Sequence, residues 1–182
     1  MELMDAIRGR RSIRRFKDEQ VPVELVREVL DAANYAPSAK RGEQWRFTVL
    51  TGDAKTRFLE FFDGELDRFI EEHGAEEAGS SKNSCRIMVE APVLVVVWNN
   101  GMHGWITEEH SVAAAVQNML LRAHDLGLGS LWIGDVYYAY NAIRGYFGKP
   151  WKLSGAVSLG YADGEGAGFK RKTVDEIAEF FV

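Results

Sequence analysis

The sequence has one cysteine, four prolines and four histidines in 182 residues, and each scarcity closes off a class of protein. Cys85 standing alone excludes an intrachain disulfide framework and a cysteine-built zinc cluster, and it predicts a reducing compartment, the cytoplasm. The histidines, at 73, 103, 110 and 124, include no pair at the spacing by which a helix offers two imidazoles to one metal ion. No apolar run is long enough to cross a bilayer, because the most apolar segment, 106–128, is broken by Glu108, Glu109, Gln117, Asn118, Arg122 and Asp125. The N-terminus carries Glu2 and Asp5 and lacks a secretory-signal pattern. An excess of positive charge is missing too: the net charge of -5 argues against a protein that coats nucleic acid. No metal, no membrane and no nucleic-acid partner are expected.

What is present is an ordinary globular mixture, 46% hydrophobic and 27% charged, of a length that suits one domain over 1–182. Leu3, Met4 and Ile7 share a helical face, and Leu25, Val26, Val29, Leu30 and Ala33 form a buried stripe that starts after Pro22. Residues 36–45 form a loop of small and turn-forming residues leading into a strand at 46–50. A third helix, capped by Asp53 and running to about Glu72, presents Phe58, Phe62, Leu66 and Phe69 as core. The acidic, then Gly- and Ser-rich stretch 71–84 predicts a mobile connection or a lid. The β-branched run 91–98 predicts a strand buried on both faces. A helix from Thr107 is apolar nearly all round over 111–121, which places it in a core or a subunit interface. Helix, tight turn and strand follow at Gly127 to Gly134, then a short helix at 140–147, a strand at 153–159, a glycine-rich loop at 160–168 and an amphipathic segment at 174–181. This alternation indicates an α+β or a three-layer α/β/α domain.

Familiar catalytic motifs fail on spacing. Gly127-Leu128-Gly129 is followed by glycine only at 134 and opens a strand, so it is not a dinucleotide fingerprint, and Gly148-Lys149 meets Pro150 where a phosphate loop needs Ser or Thr. Ser12, Ser38 and Ser130 lack the local signature of a nucleophile. The stretch Arg10-Arg11-Ser12-Ile13-Arg14-Arg15-Phe16 stands out instead. Guanidinium forks match phosphate oxygens bidentately and a neighbouring hydroxyl adds a further bond, although a basic run by itself reads as a solvated surface.

Three blocks in this order, residues 10–16, Ala36-Pro37-Ser38 up to Trp45, and Gly127-Leu128-Gly129-Ser130-Leu131-Trp132-Ile133-Gly134, together with Gly160-Tyr161 and Lys170-Arg171-Lys172, resemble the nitroreductase family of FMN-dependent oxidoreductases over essentially the whole chain. The resemblance implies an α+β fold with a central, mostly antiparallel sheet flanked by helices in three layers, in an obligate homodimer with FMN at the subunit interface. It implies hydride transfer from NADH or NADPH through flavin N5 to an electron-poor acceptor such as a nitroaromatic or quinone, in ping-pong fashion. Related members carry out reductive dehalogenation, enone reduction or flavin fragmentation, and a non-catalytic flavin-binding module is a further alternative. Carried over by position, Arg10, Arg11, Ser12 and Arg14 hold the phosphate and ribityl chain, with Lys170 and Lys172 approaching the phosphate. Pro37, Ser38 and Ala39 line the ring from the partner, and Leu131, Trp132, Ile133, Gly134 and Asp135 run beside its N5 edge. No side chain is expected to act as acid or nucleophile, since the flavin carries the chemistry. The chain departs from the family at Arg41, Glu43 and Gln44, where Asn and Gln-Pro are usual; Arg41 is expected to reach flavin or substrate, or to pair with Glu43 at the surface. For the further flavin contact that the family supplies from an Asn, only Asn83 and Ser84 are available.

Overall fold

In the computed structural model, which describes residues 1–181, the helices are α1 (Leu3–Gly9), α2 (Val23–Asn34), α3 (Gly52–His73), α4 (Ser81–Glu90), α5 (Ile106–Asp125) and α6 (Tyr140–Tyr146). The strands are β1 (Trp45–Thr51), β2 (Val93–Asn99), β3 (Gly129–Ile133) and β4 (Lys152–Gly160). They form one four-stranded sheet of order β1-β2-β4-β3, antiparallel at each pairing. Strand β2 sets the layering. It is buried at every position, and its side chains divide by parity as a pleated strand requires. Leu94, Val96 and Trp98 enter one core with Phe58, Phe62 and Leu66 of α3, Met88 of α4 and Ile143 of α6. Val93, Val95 and Val97 enter the other with Val26 and Val29 of α2 and Val112, Val116 and Met119 of α5. The domain is therefore α+β, with helices on both faces of an antiparallel sheet.

Two regions differ from the sequence expectation. The stretch read as a connection ends in α4, whose buried Ser81, Cys85 and Met88 recur at helical spacing but are separated by polar residues that hide the stripe. The turn before α4 is docked, with Ala78 2% exposed. The segment 174–181, expected to be amphipathic, holds one 3-10 turn, Val174–Glu176, and its Ile177, Phe180 and Phe181 are exposed. A short amphipathic segment becomes helical when its apolar face is packed, and no described residue covers these side chains.

Lys55 of α3 is buried, and its Nζ donates to the carbonyls of Met88, Val89 and Ala91. It thereby satisfies the C-terminal carbonyls of α4, where a cation also complements the helix dipole. Burial pulls its pKa below the ordinary lysine value. Lys55→Met leaves those carbonyls without a donor, and we expect it to cost about 1–3 kcal/mol, seen as a lower urea midpoint at unchanged m-value.

Candidate functional site

The arginine stretch leaves α1 as extended chain and is stitched to the sheet at both ends. The Ile13 N–H donates to the Ser130 carbonyl at 3.0 Å and the Lys17 N–H to the Tyr161 carbonyl at 2.9 Å, with bridges pairing Ser12 to Ser130 and Phe16 to Ala162. Ile13 and Phe16 turn into the core, so the arginines are forced outward. Arg15 pairs with Asp163. Arg10, Arg11 and Arg14 form no ion pair among the described residues, and Arg14 only leans back to the Ser12 carbonyl at 3.4 Å.

Arg10 and Arg11 line a cavity of about 530 Å³ with Ile13, Gly129, Ser130 and Gly166. Its walls are close-set glycine backbone: a Cβ at Gly129 would lie 3.0 Å from Ile13, and one at Gly166 would lie 2.4 Å from the Arg11 Cβ. Burial, then the charge of Arg171 and then that of Arg11 pull the Arg10 pKa below the usual guanidinium value. Two guanidinium groups thus border a pocket walled largely by glycine, with His124 and Glu165 also in its lining and the Arg171 charge close to Arg10; the guanidinium pair is a donor set suited to a phosphate. Arg171, the middle residue of the Lys170-Arg171-Lys172 cluster, is the member whose charge acts on Arg10; all three are exposed.

Pro37, Ser38 and Ala39 do not share that cavity. With Lys40, Trp105 and Ser111 they line a second one of about 420 Å³. The loop is cross-braced: the Ala39 N–H donates to Ser111 Oγ at 2.9 Å, Gln44 Nε2 to the Ala39 carbonyl at 2.8 Å and the Glu43 N–H to Ser38 Oγ at 3.2 Å. The bracing holds Lys40, Arg41 and Glu43 at φ of 54°, 56° and 44°, conformations that cost non-glycine residues about 1–3 kcal/mol each. Arg41 is exposed and pairs with no carboxylate among the described residues, Glu43 included.

At the end of β3, Leu131 and Ile133 are buried and Trp132 is 40% exposed. The indole fits because position 155 is glycine, at φ 122°, where a Cβ would stand 2.8 Å from Trp132 Nε1. Gly134 opens a 3-10 turn over Asp135–Ala139. The Asp135 carboxylate accepts from Ser80 Oγ at 3.0 Å and from Ser84 Oγ at 2.5 Å, which ties the start of α4 to this edge. Of the loose candidates, Ser84 is thus drawn to the site's border, while Asn83 is engaged by Arg86. Sequence reading missed Glu109, which accepts from Asn99 Nδ2 at 2.8 Å and Ser154 Oγ at 2.9 Å and, after burial itself, raises the Tyr137 pKa; its only signal was a carboxylate at the start of an otherwise apolar helix. Cys85 lies elsewhere, buried, its thiol pushed up to about 11 by burial and then by Asp63.

The family model described as the nitroreductase family matches residues 7–161. A protein of Methanothermobacter thermautotrophicus provisionally named NADH dehydrogenase/NAD(P)H nitroreductase is 34% identical over 151 residues, 80% of this chain and 66% of that protein, so the chain spans just under two thirds of that relative's length. Among solved structures, a nitroreductase with bound FMN from Bacteroides fragilis superposes with a TM-score of 0.76 at 30% identity, covering 100% of this chain and 99% of that one. A nitroreductase-like family protein from Bacillus cereus superposes at 0.82 with 27% identity over 100% and 96%.

Proposed function

The chain belongs to the nitroreductase family, and from that membership we propose that it is a homodimeric FMN-dependent oxidoreductase, using NADH or NADPH to reduce an electron-poor acceptor such as a nitroaromatic or quinone. The observation that carries this reading is the glycine-walled cavity bordered by Arg10 and Arg11, neither of which forms an ion pair among the described residues, with the Arg171 charge close to Arg10. A phosphate monoester bears close to two negative charges and draws several charge-assisted bonds. Arg10, Arg11 and Ser12 hold that phosphate, with Arg14, Lys170 and Lys172 adding to the positive field, and the edge from Leu131 to Asp135 lies beside the ring. Bound FMN supplies the redox chemistry, passing a hydride equivalent from the nicotinamide to the acceptor in alternating half-reactions. The protein's part is to grip the phosphate, position the ring and shape the acceptor's entry.

The division of the site supports the homodimer. Pro37, Ser38 and Ala39 line a cavity separate from that of Arg10, so a second copy is needed to bring the two sets to one ring. Leu3, Met4 and Ile7, the apolar face of α1, are 66%, 50% and 45% exposed, and Phe169, Ile177 and Phe180 are exposed in the C-terminal segment. Apolar side chains exposed together on one helix face suit an interaction face.

Initial rates of the FMN-loaded protein with NADH or NADPH against nitrobenzene test the reading. Parallel double-reciprocal lines are expected of a donor that leaves before the acceptor binds. Intersecting lines, or a flavin-loaded protein that reduces neither nitroaromatics nor quinones, would contradict it.

A further inference from the structure

The turn between β2 and α5 is held at its start, where the Asn100 N–H donates to the Gln44 carbonyl at 2.8 Å and the Gly101 N–H to Asn99 Oδ1 at 2.7 Å, but after Gly101 it has few means of holding its shape. Met102 is 91% exposed and Ile106 70%, so neither anchors it by burial. It nevertheless presents Trp105 at a defined place, as a wall of the cavity that also takes in Pro37, Ser38 and Ala39. The anchor is Glu108 in the first turn of α5, 1% exposed. Its Oε1 accepts from the His103 backbone N–H at 3.2 Å and lies 3.2 Å from His103 Nδ1. The His103 ring in turn stacks on the Trp105 ring, with centroids 4.3 Å apart and planes 24° from parallel. The turn closes this tightly over the carboxylate because residue 101 is glycine: a Cβ there would stand 2.3 Å from Glu108 Cδ. Burial favours the neutral carboxyl, but the bonds from His103 and Gly104 outweigh it and hold the Glu108 pKa below the usual range. The other oxygen, Oε2, is buried and has no hydrogen-bond partner among the described residues. A carboxylate buried on those terms has a job that an apolar residue could not do.

We infer that Trp105 is a specificity-determining wall for a planar aromatic acceptor, and that Glu108, acting through His103, is the positioning residue that sets its plane. This rests on the oxidoreductase reading above, because the cavity gains a redox partner only if Pro37, Ser38 and Ala39 border a flavin. An indole 45% exposed and fixed from behind by an imidazole offers its free face to a flat ring, the geometry in which aromatic pairs attract through offset stacking. An acceptor without a ring gains nothing from it.

The test compares nitrobenzene with ferricyanide, which has no ring, in FMN-loaded wild type, Trp105→Ala, Trp105→Phe, His103→Ala and Glu108→Gln. The ratio of kcat/KM for nitrobenzene to that for ferricyanide should fall about 5–10-fold in Trp105→Ala, mainly through the nitrobenzene KM, and be largely restored in Trp105→Phe. His103→Ala, at an exposed position that does not threaten folding, should lower the ratio about 2–5-fold with Trp105 intact. Quenching of tryptophan fluorescence by 4-nitrobenzoate supplies a binding readout independent of turnover. The quenching lost in Trp105→Phe should be the tightest component in wild type, and should weaken in His103→Ala and Glu108→Gln. A ratio within twofold of wild type in Trp105→Ala, or quenching unchanged in His103→Ala, would overturn the inference. A protein that binds the nitro compound through Trp105 yet is not reduced by NADH or NADPH would keep the stacking wall but sink the oxidoreductase reading, and with it the role of that wall in choosing an acceptor.

Discussion

Replacing Arg10 and Arg11 together by alanine is expected to weaken FMN binding at least ~10²-fold while leaving the fold intact. Each charge-assisted hydrogen bond contributes about 1.5–3 kcal/mol, so losing one from each side chain removes roughly 3–6 kcal/mol, and every 1.4 kcal/mol is tenfold in affinity. The fold should survive because neither guanidinium holds up the core. Arg11 Nη1 donates to the Arg8 and Arg10 carbonyls, within its own segment, and the stitching to the sheet is done by backbone groups and by Ile13 and Phe16. In the free protein the two arginines and Arg171 repel one another, and a dianion relieves that repulsion. The loss should therefore shrink as salt is raised, since screening weakens the wild-type attraction most. Titration of FMN fluorescence quenching measures it, with far-UV circular dichroism as the control. Arg14→Ala alone should cost less, because Arg14 is exposed and turned back on its own segment. Unchanged affinity in the double variant would return the stretch to a solvated patch.

Trp98→Ala is expected to be the most damaging single truncation in the core, by about 3–5 kcal/mol. Trp98 is fully buried and lies where β2 shifts register against β4, between Val97 and Trp98. Its ring meets Phe147 edge-on at 5.7 Å, and its Nε1 donates to Thr48 Oγ1 of β1 at 3.0 Å. One side chain thus joins the edge strand, the central strand and the segment after α6. Alanine leaves a cavity and an unpartnered hydroxyl. Trp98→Phe keeps most of the volume and loses only the hydrogen bond, so it should cost about 1–2 kcal/mol. Equilibrium urea unfolding decides between them, and a loss below 1 kcal/mol for alanine would show that the core closes over the gap.

Where the sequence carried a strong period, the fold could be read from it. The unbroken apolar run of β2 announces a strand covered on both faces, and the α2 stripe and the apolar girth of α5 announce what covers one of them. Helix α4 escaped because Lys82, Asn83, Ser84 and Arg86 interleave its buried positions, leaving a window too polar to read as amphipathic. The last residues look amphipathic and stay uncovered in one chain, since periodicity says that a face seeks cover without saying who provides it. The site was legible as blocks. It was not legible as contacts: nothing in the local pattern sets Arg171 apart from Lys170 and Lys172, and the partnerships of Glu109 and Glu108 depend on strands and turns that meet only after folding.

The proposed function places in the cavity at Arg10 and Arg11 an FMN that accepts electrons from a nicotinamide. It is tested most directly by the visible absorbance spectrum of protein loaded with FMN and freed of excess by gel filtration, recorded anaerobically before and after NADH or NADPH. The protein should emerge yellow, lose its flavin band on addition of at least one of the two nucleotides, and regain it when nitrobenzene or a quinone is admitted. A protein that emerges colourless, or one whose flavin band neither nucleotide bleaches, would contradict the claim.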